Sequence, residues 1–223
     1  MKHLLAIEGL YPPPIVAILD RADASLDSET LQGRTVGLRF PSGGRTRDAF
    51  AQATERLGGR LVEVSRPDVT QTETLTDTAA RLAGCDICVV RDPCSGVPAL
   101  LARRVSGAVI NAGDGMHEHP VYALTVALTV RRDKGRLDSL LIGIVGDVAR
   151  NGAARSCIHL FTAMGSRVRL LGPPGHIPPA ADRLGVEILS SLDGVDVVID
   201  LAAGVDEANR LRIATAVLAS RPT

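Results

Sequence analysis

Short apolar runs alternate along the chain with stretches whose apolar residues recur at three- and four-residue spacing. Residues 35–40 (TVGLRF) read as a strand, and residues 45–57 as an amphipathic helix stopped by Gly58-Gly59. A strand over 60–65, a helix over 73–82, a buried strand over 86–91 (DICVVR), a helix over 97–104 and a strand over 108–111 follow. A helix over 120–131 opens on Pro120, tolerated in a first turn because the missing N–H would have no intrahelical acceptor. A second unit starts near Lys134-Gly135: strand 140–146 (LLIGIVG), helix 153–164, strand 167–171, a loop over 172–179 (GPPGHIPP), and strands 186–189 and 195–201. A last helix over 206–219 places Leu211, Ala214, Val217 and Leu218 on one face. Strands alternating with helices at this spacing imply parallel sheets covered by helices on both faces. The expected architecture is α/β, two doubly wound parallel-sheet lobes, divided as residues 1–132 and 133–223.

Composition narrows the functional classes. The 25 basic and 25 acidic side chains balance among 223 residues, with no basic stripe, so nucleic acid is not an expected partner. No apolar stretch approaches membrane-spanning length, and residues 1–8 reach a carboxylate too soon for a signal peptide; a cytoplasmic protein is expected. Only 2% of the residues are aromatic, leaving Leu, Val, Ile and Ala to fill the core. Cys85 and Cys88 match C-x-x-C, but no second Cys or His pair stands at zinc spacing. Within a strand begun at Cys85 the two would point to opposite faces, so they read as core thiols, and no metal is expected. Gly143-Ile144-Val145-Gly146-Asp147 after a strand lacks the G-x-G-x-x-G register, and no nicotinamide or other cofactor is expected.

Several motifs resemble the aspartate/ornithine carbamoyltransferase family, and the aspartate enzymes most. The most specific is residues 109–120 (VINAGDGMHEHP), and residues 40–47 (FPSGGRTR) stand where the family carries F-E-P-S-T-R-T-R. Residues 56–59 (RLGG), 73–78 (ETLTDT), 90–93 (VRDP), 144–147 (IVGD), 154–156 (ARS) and 171–174 (LGPP) follow in family order. The resemblance implies an N-terminal lobe that binds carbamoyl phosphate and a C-terminal lobe that binds the amino acid. It also implies a homotrimer with each site at a subunit boundary. The second lobe reads as shortened, because residues 209–219 resemble the family's last helix although only 23 residues follow Asp200.

By resemblance, the phosphate sits at the helix opened by Arg45, Thr46 and Arg47, where backbone N–H groups and the helix dipole receive an anion. Gly43 and Gly44 stand in place of the family's Ser-Thr pair and keep the backbone donors without the hydroxyls. Arg91 and His119 match the groups that hold the carbamoyl moiety, whereas Tyr122 replaces a Gln and Asp92 a His. Gln71 stands where a neighbouring subunit's Lys is expected, and Gly152 where an amino-acid-binding Arg is expected. Structural roles are the alternative: Asp114 capping a turn, Arg91 pairing with Asp92 or Glu118, His119 capping a helix.

These replacements point to a protein that does not carbamoylate aspartate. The expected function is a repurposed enzyme, in specialised metabolism, acting on a small carboxylate, amide or carbonyl compound. His119 would serve as acid, base or oxyanion donor, the arginines as clamps, and Tyr122, Asp92 and Cys94 as new groups touching substrate. The alternatives are a non-catalytic pseudo-transcarbamoylase serving as a trimeric scaffold, and a carbamoyltransferase with another acceptor.

Overall fold

The computed structural model of the protein describes residues 2–24, 29–64, 73–179, 181–188, 191–201 and 207–220. Its first lobe holds a four-stranded parallel sheet of β1 (Thr35–Arg39), β2 (Arg60–Glu63), β3 (Ile87–Asp92) and β4 (Ala108–Asp114), in the order β2-β1-β3-β4. The helices of this lobe are α1 (Pro12–Asp23), α2 (Arg45–Arg56), α3 (Leu75–Arg81), α4 (Val97–Ala102) and α5 (Pro120–Lys134). The second sheet holds β5 (Leu141–Val145), β6 (Arg167–Leu171), β7 (Glu187–Ile188) and β8 (Val197–Asp200), also parallel, ordered β7-β6-β5-β8. Two further helices, α6 (Gly152–Ala163) and α7 (Glu207–Ala219), complete the described elements, with one 3-10 turn at Ala181–Leu184.

The side-chain period of two explains why the first sheet is covered twice. Along β3, Ile87 and Val89 join the large core with α1, α2 and α5, while Cys88 and Val90 join a second cluster with Leu82 and Leu101. Ala108 and Ile110 on β4 divide from Val109 in the same way. The large core continues into the second sheet through Ile142, Ile144, Val168, Leu170 and Ile199. Helix α5 links the two: nine of its residues are buried, as expected for a helix that is apolar on most of its circumference. No helix among the described residues is long and apolar enough to cross a membrane.

Three departures from the sequence reading have local causes. Helix α1 was not anticipated; its first turn is Pro12-Pro13-Pro14, and it is held to α5 by Arg131, which reaches Asp20 at 2.6 Å and Asp23 at 2.6 Å. Strand β4 runs three residues beyond Asn111 because the chain stays paired with β3 as far as Asp92↔Asp114. Strand β3 begins at Ile87, so Cys85 lies in the preceding turn and its sulfur meets Cys88 instead of facing away from it. That contact corrects the opposite-face expectation, and hydrogen bonding by Cys88 lowers the Cys85 thiol to about 7.

Candidate active site

Every loop that builds the site leaves the carboxyl end of a parallel strand, where open α/β sheets place ligands. Within the first sheet β1 is followed by β2 on one side and β3 on the other, and the cleft opens between β1 and β3. It measures about 410 Å³ and is lined by the loop from Phe40 to Gly44, the first turn of α2, and Arg91, His119, Tyr122, Asn151, Ala153 and Arg210.

Gly44 precedes α2 with φ 151°, a conformation that L side chains rarely adopt, so glycine suits this turn. No side chain caps the helix, and the first intrahelical bond runs from the Asp48 N–H to the Gly44 carbonyl at 3.0 Å. The N–H groups of Arg45, Thr46 and Arg47 therefore point out of the helix start toward the cleft. Arg45 lines the cleft. The Arg47 guanidinium is held by Asp48 at 2.8 Å and Glu63 at 2.6 Å, so its charge is largely balanced within the protein.

Arg91 and His119 meet across the cleft floor. The Arg91 Nη1 donates to the Ala112 carbonyl at 3.3 Å and lies 3.3 Å from His119 Nε2. His119 Nδ1 accepts the Tyr122 N–H at 3.3 Å, which caps α5 and leaves the ring proton on Nε2. Two donors, the guanidinium and the imidazole N–H, thus converge on one spot. Gly113 makes this possible: at φ 116°, a Cβ there would stand 3.2 Å from His119 Cδ2 and 3.5 Å from Arg91 Nη1. Burial, and then the charges of Arg91 and Arg210, lower the His119 pKa to about 3, so the ring is neutral at physiological pH.

A pH dependence follows from that shift. The folded-state value lies below the ordinary 6.5, so the unfolded chain takes up the proton first. The stability linked to His119 is complete above pH 6.5 and is lost as pH falls toward 3. Urea midpoints measured between pH 7.5 and 5 should fall in the wild type and fall less in His119→Gln; equal slopes would contradict a neutral buried ring.

Tyr122 is a neutral phenol at the cleft wall, its pKa raised to about 12 mainly by burial, and its ring centroid is 5.9 Å from that of His119. Behind these groups, the buried Asp114 carboxylate accepts the N–H groups of Gly96 (2.7 Å) and Glu118 (3.0 Å) and the Asn111 amide (2.9 Å). This network shapes residues 111–119, and turn-capping by Asp114 is its structural role. The His119 N–H donates to Ser156 Oγ at 2.8 Å, and Ser156 donates to the buried Glu118 carboxylate.

The structure brings Gly43, Gly44, Arg45, Thr46, Arg91, His119 and Tyr122 together and leaves two other expected residues out of the cleft lining. Asp92 is buried, accepting Arg39 Nη1 at 2.7 Å and the Cys94 N–H at 2.8 Å, so its charge is compensated away from the anion position. Arg91 therefore does not pair with Asp92, and Glu118 is engaged by backbone N–H groups and Ser156. Cys94 is exposed outside the cleft. Gly152 opens α6 so close to the first lobe that a Cβ would meet the Gly115 carbonyl at 2.9 Å and the Glu118 N at 3.0 Å. Gln71 lies outside the described residues. Sequence reasoning missed Asn151, which caps α6 through the Ala153 N–H at 2.9 Å, and Arg210; only Asn151, an N-cap residue before a helix, carried a local signal.

Residues 2–132 match the sequence model of the "Aspartate/ornithine carbamoyltransferase, carbamoyl-P binding domain". The chain is 50% identical over 216 residues to the aspartate carbamoyltransferase catalytic subunit of Granulibacter bethesdensis, covering 89% of this chain and 68% of that one. The corresponding subunit of Acidiphilium cryptum is 47% identical over 217 residues, covering 90% of this chain and 70% of that one. The fold superposes with a TM-score of 0.85 on the aspartate transcarbamoylase of Trypanosoma cruzi in complex with phosphate, at 22% identity, covering 100% of this chain and 96% of that one.

These relatives overturn the expectation of a repurposed enzyme, a pseudo-transcarbamoylase or a role in specialised metabolism, and with it the description of the site as degenerate. Near-50% identity to subunits named for aspartate carbamoylation extends over about nine-tenths of the chain. The expectation gave weight to replaced side chains. It undervalued the retained backbone donors of α2 and the Arg91–His119 pair, and it treated Asp92 as facing the anion. By sequence and by fold, this chain belongs to the aspartate/ornithine carbamoyltransferase family.

Proposed function

We propose that the protein transfers the carbamoyl group of carbamoyl phosphate to the amino group of aspartate. The observation that carries this reading is the convergence of Arg91 Nη1 and His119 Nε2, 3.3 Å apart, beside the uncapped start of α2. The phosphoryl oxygens take the N–H groups of Arg45, Thr46 and Arg47, and Arg45 adds charge. The carbamoyl oxygen then lies between Arg91 and His119.

Attack by the neutral amine on the carbamoyl carbon forms the new C–N bond and puts negative charge on that oxygen. Arg91 and the neutral His119 N–H receive the charge as it develops. The C–O bond to phosphorus then breaks, its electron pair leaves on phosphate at the helix start, and the amine's proton departs with the phosphate. A neutral His119 serves as donor and orienter here; with its pKa near 3 it holds too little basicity to deprotonate the amine at neutral pH. Residues 1–132 bind carbamoyl phosphate and 133–223 contribute to the amino-acid side, within a homotrimer whose site lies at a subunit boundary. The match of residues 2–132 to the carbamoyl-phosphate-binding domain supports that division.

The test is direct: incubation with labelled carbamoyl phosphate and L-aspartate should yield carbamoyl aspartate and phosphate. Carbamoyl phosphate should also raise the melting temperature by mass action, an effect weakened in Arg45→Ala. No product and no thermal response at millimolar carbamoyl phosphate would refute the reading.

A further inference from the structure

Arg21, Arg56 and Arg212 come from three different helices, and the carbamoyl-transfer reading uses none of them. Arg21 stands in the last turn of α1, Arg56 closes α2, and Arg212 lies on α7. All three are exposed, and all three line one open cavity of about 400 Å³. We propose that this cavity binds a small polyanion carrying two or more linked phosphoryl groups, at a site separate from the catalytic cleft.

Two of the guanidiniums are oriented by neutral groups. Arg212 Nη1 donates to the Ala22 carbonyl at 3.4 Å and Arg21 Nη1 donates to the Ala219 carbonyl, so α1 and α7 are tied together twice. Each bond uses one of the five N–H donors of a guanidinium and cancels no charge. The carboxylates of α1 are engaged elsewhere, Asp20 by Arg131 and Asp23 by Arg131 and Arg132. Among the described residues no carboxylate lines the cavity, and Arg56 has no ion-pair partner. Cations suit a last helical turn, which would account for Arg21 and Arg56 singly, but each helix end offers only about half a negative charge. Three arginines against two such ends leave roughly two positive charges facing the cavity.

That excess selects a ligand with several negative charges close together. Guanidinium forks pair with phosphoryl oxygens two at a time, so three of them match a run of linked phosphoryl groups better than a lone phosphate. The buried Ala22 and Leu57 also line the cavity and give an organic group on such a ligand an apolar surface to rest on. The catalytic cleft lies at the first turn of α2 and Arg56 is its twelfth residue, which places the two roughly 16 Å apart along the helix. A polyanion held by Arg56 therefore leaves the cleft open.

Inorganic triphosphate, titrated calorimetrically into the full chain at low ionic strength, should bind more tightly than orthophosphate. Arg56→Gln and Arg212→Gln should each raise its Kd about tenfold, as expected for losing one charged hydrogen-bonding partner. The KM for carbamoyl phosphate should stay at the wild-type value in both. Binding in the catalytic cleft instead predicts competition with carbamoyl phosphate and equal triphosphate affinity in Arg56→Gln and wild type. That result, or no triphosphate binding to the wild type at millimolar concentration, would overturn the proposal. Citrate binding as tightly as triphosphate would mark a site for anions in general and overturn the phosphoryl assignment. Should Arg212→Gln fail to fold, Arg56→Gln and Arg56→Glu carry the test, with the charge reversal weakening triphosphate binding further; unchanged affinity in both would overturn the site.

Discussion

Glu118→Ala is expected to cost about 3 kcal/mol or more of folding stability, since each buried hydrogen-bonding group left unsatisfied costs about 1–3 kcal/mol. Its carboxylate is fully buried and accepts the Ile7 N–H at 3.1 Å, the Glu8 N–H at 3.0 Å and the Ser156 hydroxyl. Three segments meet on that one group: the N-terminal residues paired beside β4, the loop into α5, and α6 of the second lobe. The N-terminal segment is held to β4 by the Leu4–Val109 and Asn111–Leu4 backbone bonds, each 2.8 Å, by the Val109 N–H donated to His3 Nδ1 at 3.0 Å, and by the Asn111 amide donated to the Leu5 carbonyl at 2.8 Å. Truncation leaves two N–H donors and a hydroxyl unmatched in the interior. Glu118→Gln keeps the shape and one good acceptor and should cost less than half as much. Urea unfolding followed by circular dichroism measures both; a loss under 1 kcal/mol for Glu118→Ala would show that the network contributes little.

Arg91→Ala is expected to lower kcat/KM by about 10²–10³, as removal of one donor to a developing oxyanion does in other acyl transfers. Stability should change little, because Arg91 is exposed at the strand end, where it reaches the Ala112 carbonyl and the His119 ring. The two predictions are separable although the residues are linked through Ser156, which joins Glu118 to the His119 N–H. Glu118→Ala acts through the fold and loosens His119 indirectly; Arg91→Ala removes a charge from an intact fold. Arg91→Lys should restore only part of the rate, since an ammonium lacks the planar fork. Steady-state kinetics with carbamoyl phosphate and aspartate decides, and full activity in Arg91→Ala would remove Arg91 from the site.

Much of the fold was legible because its elements carry strong local periodicity. The β-branched and apolar runs at 35–40, 86–91 and 108–111 became β1, β3 and β4, and the helical spacing at 45–57 became α2. Pro120 and Asn151 are cap-region signals that needed no tertiary information. The carbamoyl half of the site was legible through resemblance instead: residues 40–47, 90–93 and 109–120 match family motifs that imply a helix start, a strand end and a loop-to-helix junction around carbamoyl phosphate. What local pattern misjudged was side-chain direction. Asp92 was expected to touch substrate because sequence shows its adjacency to Arg91, but not Arg39 from β1 reaching across to claim it.

The order of apolar runs and breaks by itself determined an α/β protein with parallel sheets, and the resemblance of residues 40–47, 90–93 and 109–120 to the family's motifs supplied the α2 anion site and Arg91 with His119 as candidates. Only the tertiary structure decided which charges face the cleft and which are spent inside the protein. It turned Asp92 inward, tied Arg47 to Glu63, seated the N-terminal segment on Glu118, and brought Arg210 to the start of α2. Hydrogen bonds and apolar periodicity within an element are encoded over a few residues. The partner of a buried charge is set by which distant elements pack together, and a local window along the chain does not contain that information.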